Sequence, residues 1–337
     1  MNGRERIAAM IRGEATDSLP LMPITMMFAS RLSEEPYRAY ASDFRVLSAC
    51  QVRVADRFDF DYVSAISDPA REASDLGAAI EWFDDQPPAI NEEMALLRDK
   101  TALAGLKPPD PSSGQRMSDR VCGVEALRAR AGAGKLVEGW VEGPCAMAAD
   151  LRGLNRLMLD FHDDPRFVRD LFDFVVEMEL AFGLAQIRAG ADLIGVGDAA
   201  ASLVGPRIYR EFVVPYECTL IAGLKAAGGL VRLHICGNTR RILADMGGVG
   251  ADIVDLDFPA PVAEARAAMG PDQVLLGNLD PVRALRDSTP ERIRAALEEC
   301  RQQGAPRWIA GAGCEIPPGT PEANVDAMRD FARSHRG

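Results

Sequence analysis

Long apolar runs are missing from this chain. No uninterrupted stretch reaches the roughly 20 residues that a membrane span requires. A surplus of positive charge is missing too: the 337 residues carry a formal net charge of −12. Nucleic acid and anionic membrane surfaces would both repel such a protein, so neither is expected as a partner. The opening segment MNGRERIAAMIRGEATD is too charged to supply the apolar core of a signal peptide. No internal repeat or low-complexity tract is found, and no glycine cluster matches a dinucleotide-binding fingerprint. Histidine is scarce, with three in the whole chain. The seven cysteines, an odd number, do not suggest a disulfide framework. They fit reduced thiols, and a cytoplasmic location is expected. What remains is 47% hydrophobic and 26% charged residues, ordinary for a globular protein.

The scarce residues are placed together. His234 and Cys236 end the apolar run in VRLHICGNT, and Cys314 ends another in WIAGAGCEIPPGT. On a strand, residues two apart point to the same face, so His234 and Cys236 share one. An imidazole with two thiolates is a ligand set for Zn²⁺ rather than for Mg²⁺ or Ca²⁺. Three protein ligands would leave a fourth position open, as in catalytic zinc sites. Two other readings stay open: a redox pair between Cys236 and Cys314, and a structural zinc in a non-catalytic barrel. Cys50, Cys122, Cys145, Cys218 and Cys300 read as packing or surface residues.

From about residue 130 the chain alternates short apolar runs with helical patterns, the rhythm of βα units. The runs KLVEGWVEG, ADLIGVGD, GLVRLHICG, ADIVDLDF, DQVLLGNL and RWIAGAGC read as strands buried on both faces. Upstream, PLMPITMM and FDYVSAI add two, for about eight. Long helices are expected at 163–190, 288–304 and 319–335, with Thr289 and Thr320 as caps before proline. Pro215 should kink or split the helix that carries it. The predicted fold is α/β, a single (β/α)₈ TIM barrel over residues 1–337. RERIAAMIRGE forms an N-terminal helical extension packed outside it, and residues 70–130 form an irregular insertion or lid. A doubly wound open sheet is the alternative, because rhythm alone does not show closure.

Barrel chemistry gathers at the C-terminal strand ends. Those ends present Glu142, Asp198, His234 with Cys236, Asp257, Asn278 with Asp280, and Cys314. Glu142 is read as a catalytic carboxylate, either a displaceable fourth ligand or a base that orients His234. It could equally be a strand-end carboxylate that caps the next segment. Asp198 is read as a second catalytic or substrate-positioning group, with helix capping as the alternative. Asp257 and Asn278 are expected to line the mouth and contact substrate. The methionines of LMPITMMF are expected to face the barrel interior, with Met27 toward substrate.

The segments GDAAASLVGPRIYREFVVPY, KAAGGLVRLHICGNT, GADIVDLD, VLLGNLDPVRAL and GAGCEIPPGTPEANVDAM together resemble the uroporphyrinogen decarboxylase superfamily. Within it they resemble the zinc-dependent, corrinoid-linked methyltransferase branch. The resemblance covers most of residues 135–332. It implies a (β/α)₈ barrel, zinc held by His234, Cys236 and Cys314, and Glu142 near the metal. It also implies methyl transfer between a corrinoid (methylcobalamin) and a small thiol or methoxy-type molecule. No cobalamin-binding module is recognisable in the chain, so the corrinoid is expected on a separate partner protein. The decarboxylases carry an arginine-rich motif after the first strand, but here that place reads ITMMFASRLS, with Arg31 alone. Pairing many substrate carboxylates needs several fixed guanidiniums. A metal-independent lyase acting on a carboxylated substrate is therefore the lesser expectation.

Overall fold

The computed structural model describes residues 1–113 and 115–337. Among them the strands are β1 (Tyr62–Ser64), β2 (Ile80–Glu81), β3 (Ala89–Ile90), β4 (Leu136–Glu142), β5 (Leu193–Gly197), β6 (Leu230–Ile235), β7 (Ile253–Leu256), β8 (Val274–Leu276) and β9 (Trp308–Ile309). β2 and β3 form a separate antiparallel ribbon. The other seven make one parallel sheet in the order β1-β4-β5-β6-β7-β8-β9. Helices follow most of these strands, which is the βα rhythm read from the sequence.

The eighth stave is one residue wide. Leu21 forms a parallel bridge to Ala310. Met22 N–H donates to the Ala310 carbonyl at 2.9 Å, and Ala310 N–H donates to that of Pro20 at 2.9 Å. On the other side Asp61 N–H reaches the Leu21 carbonyl at 3.2 Å, just ahead of β1. The sheet therefore curls back on itself, as a TIM barrel does and an open doubly wound sheet does not. PLMPITMM does not form a longer strand because Pro20 and Pro23 have no N–H to give a ladder.

Several expectations need revision. The stretch 70–130 is irregular only in its first part: a short helix (Arg71–Asp75), the β2–β3 ribbon and 3₁₀ turns at Glu92–Met94 and Lys100–Gly105. Arg116–Ala131 is a regular helix of 16 residues that packs on β4 and on the helix Phe44–Arg57. It belongs to the barrel. The N-terminal helix Gly3–Arg12, capped by the reciprocal Asn2–Glu5 bonds, lies across the N-terminal ends of the strands. Arg4 N–H bonds the Gly134 carbonyl ahead of β4 at 3.3 Å. The Arg4 guanidinium meets Asp192 ahead of β5 at 2.6 Å, and Arg6 pairs with Asp61 ahead of β1. Pro215 does disturb its helix: the widened turn Tyr209–Val213 precedes Val214–Ala226. Thr289 sits at the cap position of Pro290–Gly304, but its side chain makes no capping bond. Pro321 rather than Thr320 caps Glu322–Ser334. Among the described residues no helix is long and apolar enough to cross a membrane.

Two interior features set the floor of the site. Arg232 on β6 is buried in the barrel between carboxylates of neighbouring strands. Its Nη1 donates to Glu138 Oε1 on β4 at 3.1 Å, and its Nε and Nη2 donate to Asp255 Oδ2 on β7 at 3.1 and 2.6 Å. The guanidinium also stacks 5.8 Å from the Trp140 ring and 6.0 Å from that of Tyr62. Above it, Trp140 lies over β5 at Gly195 and Gly197. A Cβ on Gly195 would overlap the indole carbons, and one on Gly197 would come within 3.0 Å of the ring.

Gly195→Ala is accordingly expected to lower stability by about 1–3 kcal/mol, the usual range for overpacking, read from urea unfolding. Arg232→Met leaves two carboxylates without their cation. A larger loss of about 3–5 kcal/mol is expected in the same measurement, the range for a broken buried pair.

Candidate metal centre

β6 alternates its side chains so that Arg232, His234 and, one step past the strand, Cys236 follow one another up the barrel interior. The strand register sets His234 directly opposite Asp255 on β7. His234 Nδ1 lies 2.9 Å from Asp255 Oδ2, the same oxygen that Arg232 holds. A proton on Nδ1 leaves Nε2 as the free donor atom of the ring. Nε2 faces the sulfurs, 3.0 Å from Cys236 Sγ. Cys314, beyond β9, brings its Sγ to 3.8 Å from that of Cys236. That is far longer than the roughly 2.05 Å of a disulfide, and both are free thiols.

The three donor atoms all lie within 4.8 Å of one another. One nitrogen and two sulfurs, with a carboxylate behind the imidazole, fit a zinc ion by donor chemistry and by outer support. The sulfurs share their protons unevenly. The contact with Cys236, aided by the nearby imidazole, draws Cys314 down to about 4. The same contact, with burial, pushes Cys236 up. A thiolate, the form a metal requires, is thus available at neutral pH.

The loops around these ligands are tied to backbone. Asp257 accepts from Gly237 N–H at 2.6 Å and from Phe258 N–H at 2.7 Å, which fixes the turn after Cys236. Glu315, next to Cys314, accepts from Met26 and Met27 N–H at 3.1 and 2.5 Å. Burial pushes its carboxyl up to about 7.

A cavity of about 170 Å³ opens beside the three ligands. Ile24, Met26, Ile66, Pro69 and Trp140 give it apolar walls, and its charged lining is Asp68, Arg71 and Glu142. Arg71 Nη2 bonds Glu142 Oε1 at 2.9 Å and Glu72 Oε1 at 3.2 Å, and its Nη1 bonds the Asp68 carbonyl. Asp68 in turn takes both oxygens to Arg116, at 2.8 and 2.6 Å. Burial, reinforced by Glu72 and Asp150 against the pull of Arg71, holds the Glu142 carboxyl well above the usual range.

Of the residues singled out in the sequence, His234, Cys236, Cys314 and Glu142 meet at this cavity. The carboxylate behind His234 is Asp255, not Glu142. Asp198 is fully buried and accepts from Ala146 N–H at 2.6 Å and Cys145 N–H at 3.3 Å, in the first turn of Pro144–Arg152. Asn278 donates to the carbonyls of Asp257 and Ala260 at 3.0 and 2.6 Å. Asp198, Asp257 and Asn278 therefore brace the wall from behind. Met27 lies in a separate depression with Arg31 and Tyr37, while its neighbour Met26 lines the cavity. The sequence reading passed over Arg71, Trp140, Asp255, Arg232 and Glu138. The last three had a signal: each is a charge interrupting an otherwise apolar strand.

The family model described as "Uroporphyrinogen decarboxylase (URO-D)" matches residues 2–335. A methylcobamide:CoM methyltransferase MtbA from Methanosarcina mazei is 29% identical over 281 residues, 82% of this chain and 80% of that relative. A uroporphyrinogen decarboxylase from Rhodococcus opacus is 26% identical over 332 residues, 93% of this chain and 91% of the other. A solved structure described as a methyltransferase from Methanosarcina mazei superposes with a TM-score of 0.87 at 20% identity, over 99% of this chain and 98% of the other. At that identity the likeness speaks for the fold alone. The barrel, its closure at Leu21 and a match over nearly the whole length agree: this chain belongs to the uroporphyrinogen decarboxylase family.

Proposed function

We propose that this protein is a zinc-dependent methyltransferase. It would move a methyl group between a corrinoid carried by a separate partner protein and a small thiol or methoxy-type substrate. The observation that carries the reading is the convergence of His234 Nε2, Cys236 Sγ and Cys314 Sγ beside a cavity. The relatives bear two kinds of name at similar identity, so the site chemistry has to decide between them. A soft, three-donor set supports methyl transfer involving sulfur or oxygen. The decarboxylase reading draws no such support, since the cavity's one lining guanidinium, Arg71, is already held by carboxylates.

Zinc bound by His234, Cys236 and Cys314 would supply Lewis acidity, favouring a substrate thiolate or polarising a methyl-bearing heteroatom at neutral pH. Asp255 holds the His234 ring in the tautomer that leaves Nε2 free, and Arg232 holds Asp255. Glu142, whose carboxyl burial holds above its usual range and which faces the cavity, takes or returns the proton that accompanies transfer. Asp198 steadies the first turn of the helix that follows Glu142. Trp140 and Met26 exclude water from the apolar side. The corrinoid partner would dock over the C-terminal mouth, where the ligands lie.

Metal analysis should find about one zinc per chain in the purified protein, lost in His234→Ala and in Cys314→Ser while far-UV circular dichroism is preserved. Retention of zinc in both variants would exclude this site. Asp255→Asn, assayed by chelator competition, is expected to weaken zinc about 10–100-fold, the usual effect of removing a ligand's outer partner. Transfer of methyl between a corrinoid protein and a panel of thiols and methoxy compounds should fall at least about a thousandfold in Cys236→Ser. Absence of transfer by the zinc-loaded wild type across the panel would count against the reading.

A further inference from the structure

We infer that the substrate of this site is uncharged, with an apolar body no larger than about one six-membered ring. The inference rests on the proposed function and names its substrate class. The cavity holds about 170 Å³, close to the roughly 150 Å³ that accommodates a benzene molecule in a protein interior. Six of its lining side chains are apolar: Ile24, Met26, Ile66, Pro69, Trp140 and Ala199. A substrate heteroatom at the metal ligands would place the rest of the molecule among them.

The charges around the cavity argue against an anion. Arg71 is the sole cation among the lining residues. Its Nη1 and Nη2 are used on the Asp68 carbonyl, Glu72 and Glu142, and its Nε is sealed from the cavity without a partner. Arg116, which lies behind the lining residue Asp68, is paired with both oxygens of that carboxylate. Carboxylates are in excess behind this wall. Among the described residues Glu72 Oε2, Asp150 Oδ2 and both oxygens of Glu179 are buried with no hydrogen-bond partner. A sulfonate or carboxylate on the substrate would find no unengaged cation among the lining residues and would lose its water. An uncharged body loses nothing by entering and buries apolar surface. The relatives' names do not suggest this property; it follows from how the guanidiniums here are engaged.

The test is calorimetric binding to the zinc-loaded protein, with two matched pairs of probes: ethanethiol against 2-mercaptoethanesulfonate, and anisole against 4-methoxybenzenesulfonate. In at least one pair the uncharged member is expected to bind at least about tenfold more tightly. Equal or tighter binding of the sulfonates overturns the inference and leaves the proposed methyl transfer standing. Failure of all four to bind overturns both. Ala199→Leu narrows the cavity at an exposed lining position. It should weaken the uncharged probe at least about fivefold, whereas unchanged affinity would place the probe elsewhere and overturn the inference.

Discussion

Arg232 can lie inside the barrel only because two carboxylates meet it there. Alone, a buried guanidinium would cost several kcal/mol. With Glu138 on one side and Asp255 on the other the charge is compensated, and three parallel strands are locked in one register. Asp255 then has a second task, since the oxygen that receives Arg232 also faces His234 Nδ1. The orientation of the imidazole is inherited from a salt bridge deeper in the barrel. One strand, β6, carries this order upward: cation at 232, imidazole at 234, thiol at 236.

The geometry of the mouth was legible in the sequence where it rested on periodicity of two. His234 and Cys236 had to share a face, and a soft triad at two strand ends was a strong signal. Less legible were side chains whose partners are distant in sequence. Asp198 and Asp257 look like mouth carboxylates, yet each gives its oxygens to backbone N–H groups of a neighbouring loop. Nothing local distinguishes a carboxylate that faces a cavity from one that braces its wall. Arg71 was hidden for another reason: it lies in a stretch read as irregular, and only folding brings it to Glu142. The fold was legible in its rhythm and not in its closure. Pro20 and Pro23 reduce the eighth stave to a single bridge, which no pattern of alternation reports.

Membership of this family does not by itself decide the reaction, because relatives named as decarboxylases and as methyltransferases match over most of the chain. The barrel supplies a mouth; the residues placed around it supply the chemistry. Here the guanidiniums that could meet an acidic substrate are either turned to internal carboxylates, as Arg71 is, or, like Arg31, set in a separate depression. The inner position is given to nitrogen and sulfur. The same fold accommodates either arrangement because both lie beyond the strand ends, outside the packed core.

The seam where the barrel closes has a consequence for biosynthesis. Ile316 N–H bonds the Ile24 carbonyl at 2.9 Å, and Glu315 holds Met26 and Met27. The cavity wall thus joins residues 24–27 to residues 315–316, almost 300 positions apart in the sequence. Cys314 follows Cys236 by 78 positions, so a nascent chain exposes an imidazole and one sulfur long before the second sulfur exists. Were zinc to bind here as proposed, all three donors would be in place only once the segments around Ile24 and Ile316 have met.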